Sequence, residues 1–369
     1  MPYKIRKLEL LIVFALIVAA LAGCGGKRVK KEDVFLVYPP PPEPPRFYYE
    51  RTLRTSADVR EETASDRFRK LVTGMGSSSF GLLKPYGVAA YQGRIYVSDT
   101  VQRAVLMFDI PHKNFKIIGN EGPGALTKPI GLATSRDGLL YVADHSGKRV
   151  VVFDKDGNFV KTFGGSEYLI RPSGVAVSPD GATAYVIDTG GVDDQDHHQV
   201  TIWDTSTGRY LGQWGKRGTE NGEFNLPLQI AVNSRGEVYV VDGGNFRVQA
   251  FSADGRFLRS IGSIGRRSGQ FSRPKGLGIG PEDNIYVADT AFGNFQIFNP
   301  EGQLLLFVGD RGGRGAPGEY MLPAGLTVDE DGRVYMVDQY FKKVDVYRPA
   351  SIKKNEGWLG KDLSATTKK

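Results

Sequence analysis

Tyr96-Val97-Ser98-Asp99, Tyr141-Val142-Ala143-Asp144, Tyr185-Val186-Ile187-Asp188, Tyr239-Val240-Val241-Asp242, Tyr286-Val287-Ala288-Asp289 and Tyr335-Met336-Val337-Asp338 are one phrase written six times. The aspartates are 45, 44, 54, 47 and 49 residues apart. A period of this length marks the blades of a β-propeller. The fold by itself does not choose between enzyme, sensor and scaffold.

Working outward from that phrase, each repeat has the same plan. Pro85-Tyr86-Gly87, Pro129-Ile130-Gly131, Pro172-Ser173-Gly174, Pro274-Lys275-Gly276 and Pro323-Ala324-Gly325 read as opening turns, and blade four departs with Pro227-Leu228-Gln229. A short apolar strand follows, such as Val175-Ala176-Val177, then a turn that is often Asp-Gly, as at Asp137-Gly138, Asp180-Gly181 and Asp331-Gly332. That dipeptide supplies the positive φ a tight hairpin needs. The repeated phrase is the second strand. The third ends in Phe108, Phe153, Trp203, Phe251, Phe298 or Tyr347, and a fourth runs to Gly119, Gly164, Gly215, Gly262 or Gly309. The sixth blade has no such fourth strand after Tyr347-Arg348-Pro349. The aromatic-rich residues 46–53 are unclaimed, and pairing them with blade six closes the ring and removes an exposed edge.

The predicted architecture is therefore all-β, a six-bladed propeller of four-stranded antiparallel blades closed by an N-terminal strand. The repeated Pro-x-Gly, Tyr-Val-x-Asp and third-strand elements, as in Val150-Val151-Val152-Phe153, resemble the NHL family of six-bladed propellers over roughly residues 75–348.

The chain opens with Lys4, Arg6 and Lys7, an apolar run at residues 10–22, and then Leu21-Ala22-Gly23-Cys24. The run is too short to span a bilayer and fits a signal-peptide core. Together with Cys24, the one cysteine of the chain, this resembles a bacterial lipobox, which implies cleavage before Cys24 and its acylation. The alternative is an ordinary secretory signal with an incidental cysteine. The layout also looks like bacterial propeller lipoproteins, which implies an envelope location. Gly25 stands where an aspartate would resemble an inner-membrane retention signal, so the outer membrane is favoured if the host has two membranes. The expected organisation is residues 1–23 signal peptide, 24–45 lipid-anchored tether, 46–350 propeller and 351–369 basic, disordered tail. Within the tether, the proline-rich residues 39–45 read as a stiff polyproline II spacer.

Charge placement excludes some functions. The net charge is +7, yet residues 32–350 carry −2, because the basic excess sits at the two ends. A nucleic-acid-binding propeller needs a basic surface of its own, so the nucleic-acid binding known for some NHL propellers is not expected here. Lys27, Arg28, Lys30 and Lys31 instead suit anionic head groups, at ~1 kcal/mol each. One cysteine allows no internal disulfide, and no Cys-x-x-Cys-His attaches a haem. Gly309 to Gly315 and Gly212 to Gly218 are glycine-rich but lack a phosphate-loop ending.

Three groups of residues are candidates for function. The six repeat aspartates, Asp99, Asp144, Asp188, Asp242, Asp289 and Asp338, are read as structural caps on backbone amides rather than as metal ligands. In blade three the distance from repeat aspartate to aromatic is fifteen residues instead of nine, and the insertion holds Asp193, Asp194, Asp196, His197 and His198, with His145 in the adjacent blade. Carboxylates beside histidines can bind a divalent cation, but the spacing matches no specific motif, and a solvated loop is the preferred reading. No metal or other cofactor is expected. The third group lies on the connectors between blades and the loops after the repeat aspartates: Lys216, Arg217, Arg266, Arg267, Arg311 and Arg314 with Phe246, Phe292, Tyr340 and Phe341. Cations beside aromatics on one rim suit an acidic protein, a polysaccharide or a phosphate group, although the same aromatics could simply fill gaps between blades.

The leading expectation is a non-catalytic, membrane-tethered binding module that recognises a protein or glycan partner through this rim. The alternatives are an extracellular small-ligand sensor or a metal-dependent enzyme. The resemblance implies the latter, because NHL-like propellers include lyases and similar propellers include lactonases. Those converge histidines or carboxylates from several blades. The four histidines here, His112, His145, His197 and His198, make a poor convergent set.

Overall fold

Middle strands covered on both sides by neighbouring blades should read as near-continuous apolar runs, and they do. Arg94–Asp99 and Ala104–Asp109 are buried at every position, whereas the outer strand Phe159–Gly164 is mostly open. The computed structural model describes residues 36–60, 71–72, 79–191 and 197–364. They form six antiparallel sheets around a central channel, five of four strands and one of five. In blade one the order is Pro85–Tyr91, Arg94–Asp99, Ala104–Asp109 and Asn114–Ile118, from the channel outward. Six apolar clusters fill the six junctions between blades. At one of them Tyr96, Val105 and Met107 of blade one interleave with Leu132, Val142 and Val151 of blade two. Burying such side chains is the main favourable term, at about 25 cal/mol per Å² of apolar area.

The Pro-x-Gly elements are not turns. Each proline is the first residue of an innermost strand, as in Pro85–Tyr91 and Pro129–Thr134, and a register irregularity follows it. The first position of a strand tolerates a residue without an N–H. The glycine serves a close approach: a Cβ at Gly87 would lie 2.2 Å from the Ile130 carbonyl oxygen, and one at Gly325 would lie 2.5 Å from that of Tyr86. Neighbouring inner strands thus touch backbone to backbone around the axis. The channel between them is a cavity of about 170 Å³.

The ring closes through Phe47–Leu53, which pairs antiparallel with Lys343–Pro349 from Phe47↔Pro349 to Leu53↔Val344. Charged groups are buried at this seam. The Arg333 guanidinium, fully buried, lies 2.8 Å from the Glu50 carboxylate and 3.1 Å from Asp331, and it donates to the Glu356 carbonyl. Lys343 and Asp345, both fully buried, are 2.6 Å apart, and Thr52 donates to Asp345 at 2.6 Å.

Both expected boundaries change. Residues 39–45 do not extend as a spacer. They form the loop of a hairpin in which Val37–Tyr38 pairs with Phe47–Leu53, so the sheet already includes Val37, before residue 46. The Arg46 amide donates to the Tyr38 carbonyl at 2.7 Å, and the Tyr38 ring meets Tyr347 edge-on at 5.8 Å. Burial of that aromatic offsets the preference of prolines for extended backbone. The tail is also ordered through residue 364. Leu359, in the short helix Trp358–Gly360, is buried in the cluster between blades six and one. The Leu363 amide donates to the Pro111 carbonyl, and Lys113 lies 2.9 Å from Asp362. An average over lysine-rich composition conceals one apolar anchor of this kind.

Each repeat aspartate is fully buried at the end of its strand and clamps the connector that enters the same blade. Asp99 accepts from the amides of Leu83 and Lys84 at 2.7 and 2.9 Å and from those of Val101 and Gln102 at 3.1 Å. Asp289 repeats this with Ser272, Arg273, Ala291 and Phe292, and Asp338 with Met321, Leu322 and Phe341. Asp188 binds the Ile170, Arg171 and Gly190 amides. Asp144 accepts from Thr127, Lys128 and Arg149, and Asp242 from Asn225, Asn245, Arg247 and Gln249.

Two outcomes are expected. Glu50→Ala leaves the buried Arg333 with only the partly exposed Asp331 as ion-pair partner and should lower unfolding stability by about 3 kcal/mol, read from the denaturant midpoint at unchanged slope; an unchanged midpoint would show that the seam does not limit stability. Asp289→Ala should cost about 2 kcal/mol and should speed hydrogen exchange at the Ser272, Arg273, Ala291 and Phe292 amides, while exchange in the blade-two strands stays protected.

Candidate functional site

The clamp of each aspartate joins a blade-to-blade connector to the loop that follows the repeat phrase, so these two sets of loops share one face. The connectors of blades three to five are further fixed by short bridges, Arg217↔Phe224, Ile264↔Phe271 and Asp310–Arg311 with Glu319–Tyr320. Gly262 shows why a glycine precedes them. Its φ is +75°, and a Cβ there would lie 2.3 Å from the Phe271 ring that seats on it.

On this face the sequence-predicted rim residues separate into three groups. Arg266, Arg267 and Phe292 come together with Ser268, Asn294, Gln296 and Phe307 around a shallow cavity of about 240 Å³. The two arginines are exposed, and Phe307 is 50% exposed. The Asn294 Oδ1 at this cavity is buried without a hydrogen-bond partner. Lys216 and Arg314 are instead occupied, 3.1 Å from Glu223 and 3.1 Å from Glu319 respectively. Arg311 lies against the Thr290 and Ala291 carbonyls and the Met321 sulfur, and Arg217 is exposed on its connector. Phe246 is in left-handed backbone, with φ 56°, and packs on the core between blades four and five. Tyr340 is 59% exposed and meets Phe341 edge-on at 5.0 Å.

The histidines do not converge. His145 Nδ1 is 3.3 Å from the Pro172 carbonyl, and burial, then the charges of Lys128 and Arg171, push the imidazole below its ordinary value. His198 is buried with Nδ1 3.1 Å from the Phe224 carbonyl and 3.3 Å from the Leu226 amide. His197 borders Gly190. His112 is on the opposite face, 2.8 Å from Asp109. Asp193, Asp194 and Asp196 lie outside the described residues, as does Cys24. Among the described residues no three histidine, cysteine or acidic side chains are grouped to hold a metal.

The sequence reading did not foresee a cavity of about 560 Å³ on the opposite face, where blades five and six meet. Arg46, Glu282, Tyr286, Leu305 and Glu330 line it. Burial pushes the Tyr286 phenol up to about 12 and raises the Glu330 carboxyl. Glu282, Tyr286 and Leu305 belong to blade five, Glu330 to blade six and Arg46 lies beside the closing strand, so the set comes together only when the ring closes.

Comparison with known proteins agrees with this geometry. The NHL repeat model matches residues 126–153 and 224–251, each running from a connector to the third strand of its blade. Human E3 ubiquitin-protein ligase TRIM32 is 46% identical over 43 residues, which is 12% of this chain and 7% of that protein. An auxiliary nutrient binding protein from Bacteroides thetaiotaomicron superimposes with a TM-score of 0.55 at 13% identity, covering 73% of this chain and 70% of that one. Virginiamycin B lyase from Staphylococcus aureus gives 0.51 at 13% identity, covering 72% and 95%. A binding protein and an enzyme thus share the architecture, and at this identity the likeness speaks for the fold alone. Six matching sheets and the six-fold phrase make the chain a six-bladed β-propeller, and the NHL repeat is matched in two of its blades, at residues 126–153 and 224–251.

Proposed function

We propose that this propeller is a non-catalytic binding module, tethered to the cell envelope through acyl groups on Cys24, which holds an acidic protein or glycan partner on the rim of blades four and five. The observation that carries the reading is the cavity beside Arg266 and Arg267, with Phe292 and Phe307 as apolar walls and the Asn294 oxygen unpaired. Exposed cations beside aromatic surface bind anionic partners with both charge and contact area. The clamp on Asp289 holds the Phe292 loop in place before binding, which reduces the entropy cost of association. The Leu21-Ala22-Gly23-Cys24 sequence and the four cations that follow it support the membrane tether. An outer-membrane position is favoured where the host has two membranes.

Two measurements test the separate parts. Cys24→Ser should move the protein from the membrane to the soluble fraction; retention in the membrane would remove the lipid tether. In-cell cross-linking of the lipidated protein should capture a partner that is lost in the Arg266→Glu/Arg267→Glu double variant. Equal capture by the double variant would remove the rim.

A further inference from the structure

The residue before each strand-opening proline is Lys84, Lys128, Arg171, Leu226, Arg273 or Leu322. These are equivalent positions of the repeat, one per blade. The inner strands all begin on the face of the clamped loops, so the six residues encircle one mouth of the central channel. Four of the six are cations, and Lys84, Lys128 and Arg273 are exposed.

One residue further on, Lys275 adds a cation at the centre. Its ammonium lies 4.5 Å from the centroid of the Tyr86 ring and 3.4 Å from Gln339 Oε1. Lys275 belongs to blade five, Gln339 to blade six and Tyr86 to blade one. A side chain that reaches from blade five to the ring of blade one passes across blade six, over the end of the channel. The ammonium has three donors, but its one hydrogen-bond contact is long, and it makes no ion pair among the described residues. Burial, then the charges of Arg273 and Lys84, bring it down to about 8, and Asp338 opposes them only in part. The Asp338 oxygens are taken up by the Met321, Leu322 and Phe341 amides. Across the mouth, Lys128 and Arg171 act on His145 in the same sense. Like charges gathered without a counterion raise the energy of the empty site, and a bound anion lowers it.

We propose that this channel mouth is an oxyanion site for the phosphoryl or carboxylate group of a small molecule. Lys275 is its floor, Tyr86 its apolar wall, and Lys84 and Arg273 the cations that close over it. A lysine floor offers a compact charge with rotatable donors, which suits a tetrahedral or planar oxyanion equally. Further along the axis the channel is a separate cavity between the later residues of the inner strands, such as Val88, Val175 and Leu277, and Lys275 does not line it. The site lies on the axis rather than the rim and stands independently of the partner proposed above.

The test is calorimetric titration of the full lipidated chain in detergent, with inorganic phosphate and with citrate as probes. Binding of phosphate alone would assign a phosphoryl ligand, and binding of citrate alone a carboxylate. Lys275→Met should weaken the bound probe by about tenfold or more. Lys84→Ala/Arg273→Ala, at exposed positions that do not threaten folding, should weaken it by at least about threefold. The Arg266→Glu/Arg267→Glu variant should bind the probe as the wild type does, so failure of the rim and failure of the mouth are separately visible. Absence of binding by either probe, or equal binding in the Lys275→Met and Lys84→Ala/Arg273→Ala variants, would overturn the proposal.

Discussion

A propeller has no layer above or below its sheets, and each blade is covered only by the two blades beside it. The constraint on which everything else depends is therefore closure of the ring. The sixth blade holds three strands from the C-terminal part of the chain, and its two outer strands, Phe47–Leu53 and Val37–Tyr38, come from the N-terminal part. If that pairing opened, the apolar faces of blades one and six would lose their cover together. Charged groups are buried at this seam. Arg333 with Glu50 and Lys343 with Asp345 are ion pairs in which both partners are nearly or fully inaccessible. Such pairs contribute little net stability but penalise any arrangement that separates them. The Arg333–Glu50 pair and the Thr52–Asp345 hydrogen bond reach the closing strand and favour its observed register.

The same economy applies at the loops. A buried aspartate at the end of each second strand organises two segments by accepting their backbone amides, so the loops of one face need few side-chain contacts to stay ordered. Their outward side chains are then free to vary, and Arg266, Arg267 and Tyr340 point to solvent from a rigid frame. Rigidity of the frame and variability of the decoration are what a binding face requires.

How much of this could be read from the chain depended on whether the information was periodic. The six strand phrases and the amide-binding geometry of the aspartates follow from residues that recur at fixed offsets, and the closing strand from the gap that the sixth repeat leaves. Features that occur once did not show. The prolines at residues 39–45 looked like a spacer because composition does not reveal that Tyr38 has an aromatic pocket to return to. The tail looked disordered because its few apolar residues, Ile352, Trp358, Leu359 and Leu363, show no period among the lysines. On the rim, Glu223 and Glu319 neutralise Lys216 and Arg314 through the fold of their connectors, which a count of cations cannot anticipate.

The cations at the channel mouth lie between these two cases. They are far apart along the chain, so no window of sequence shows a basic cluster, and residues 32–350 are slightly acidic as a whole. Yet they occupy one column of the repeat, and a column converges on the axis. The carboxylates in the neighbouring column offset them only in part: Asp338 acts on Lys275 and Asp188 on His145, but burial and the neighbouring cations outweigh them. The mouth cations are held near one another by the inner strands that begin there, so their fields add at one point. Near-neutral composition and a concentrated positive potential at one point therefore coexist, and the repeat geometry is what separates them.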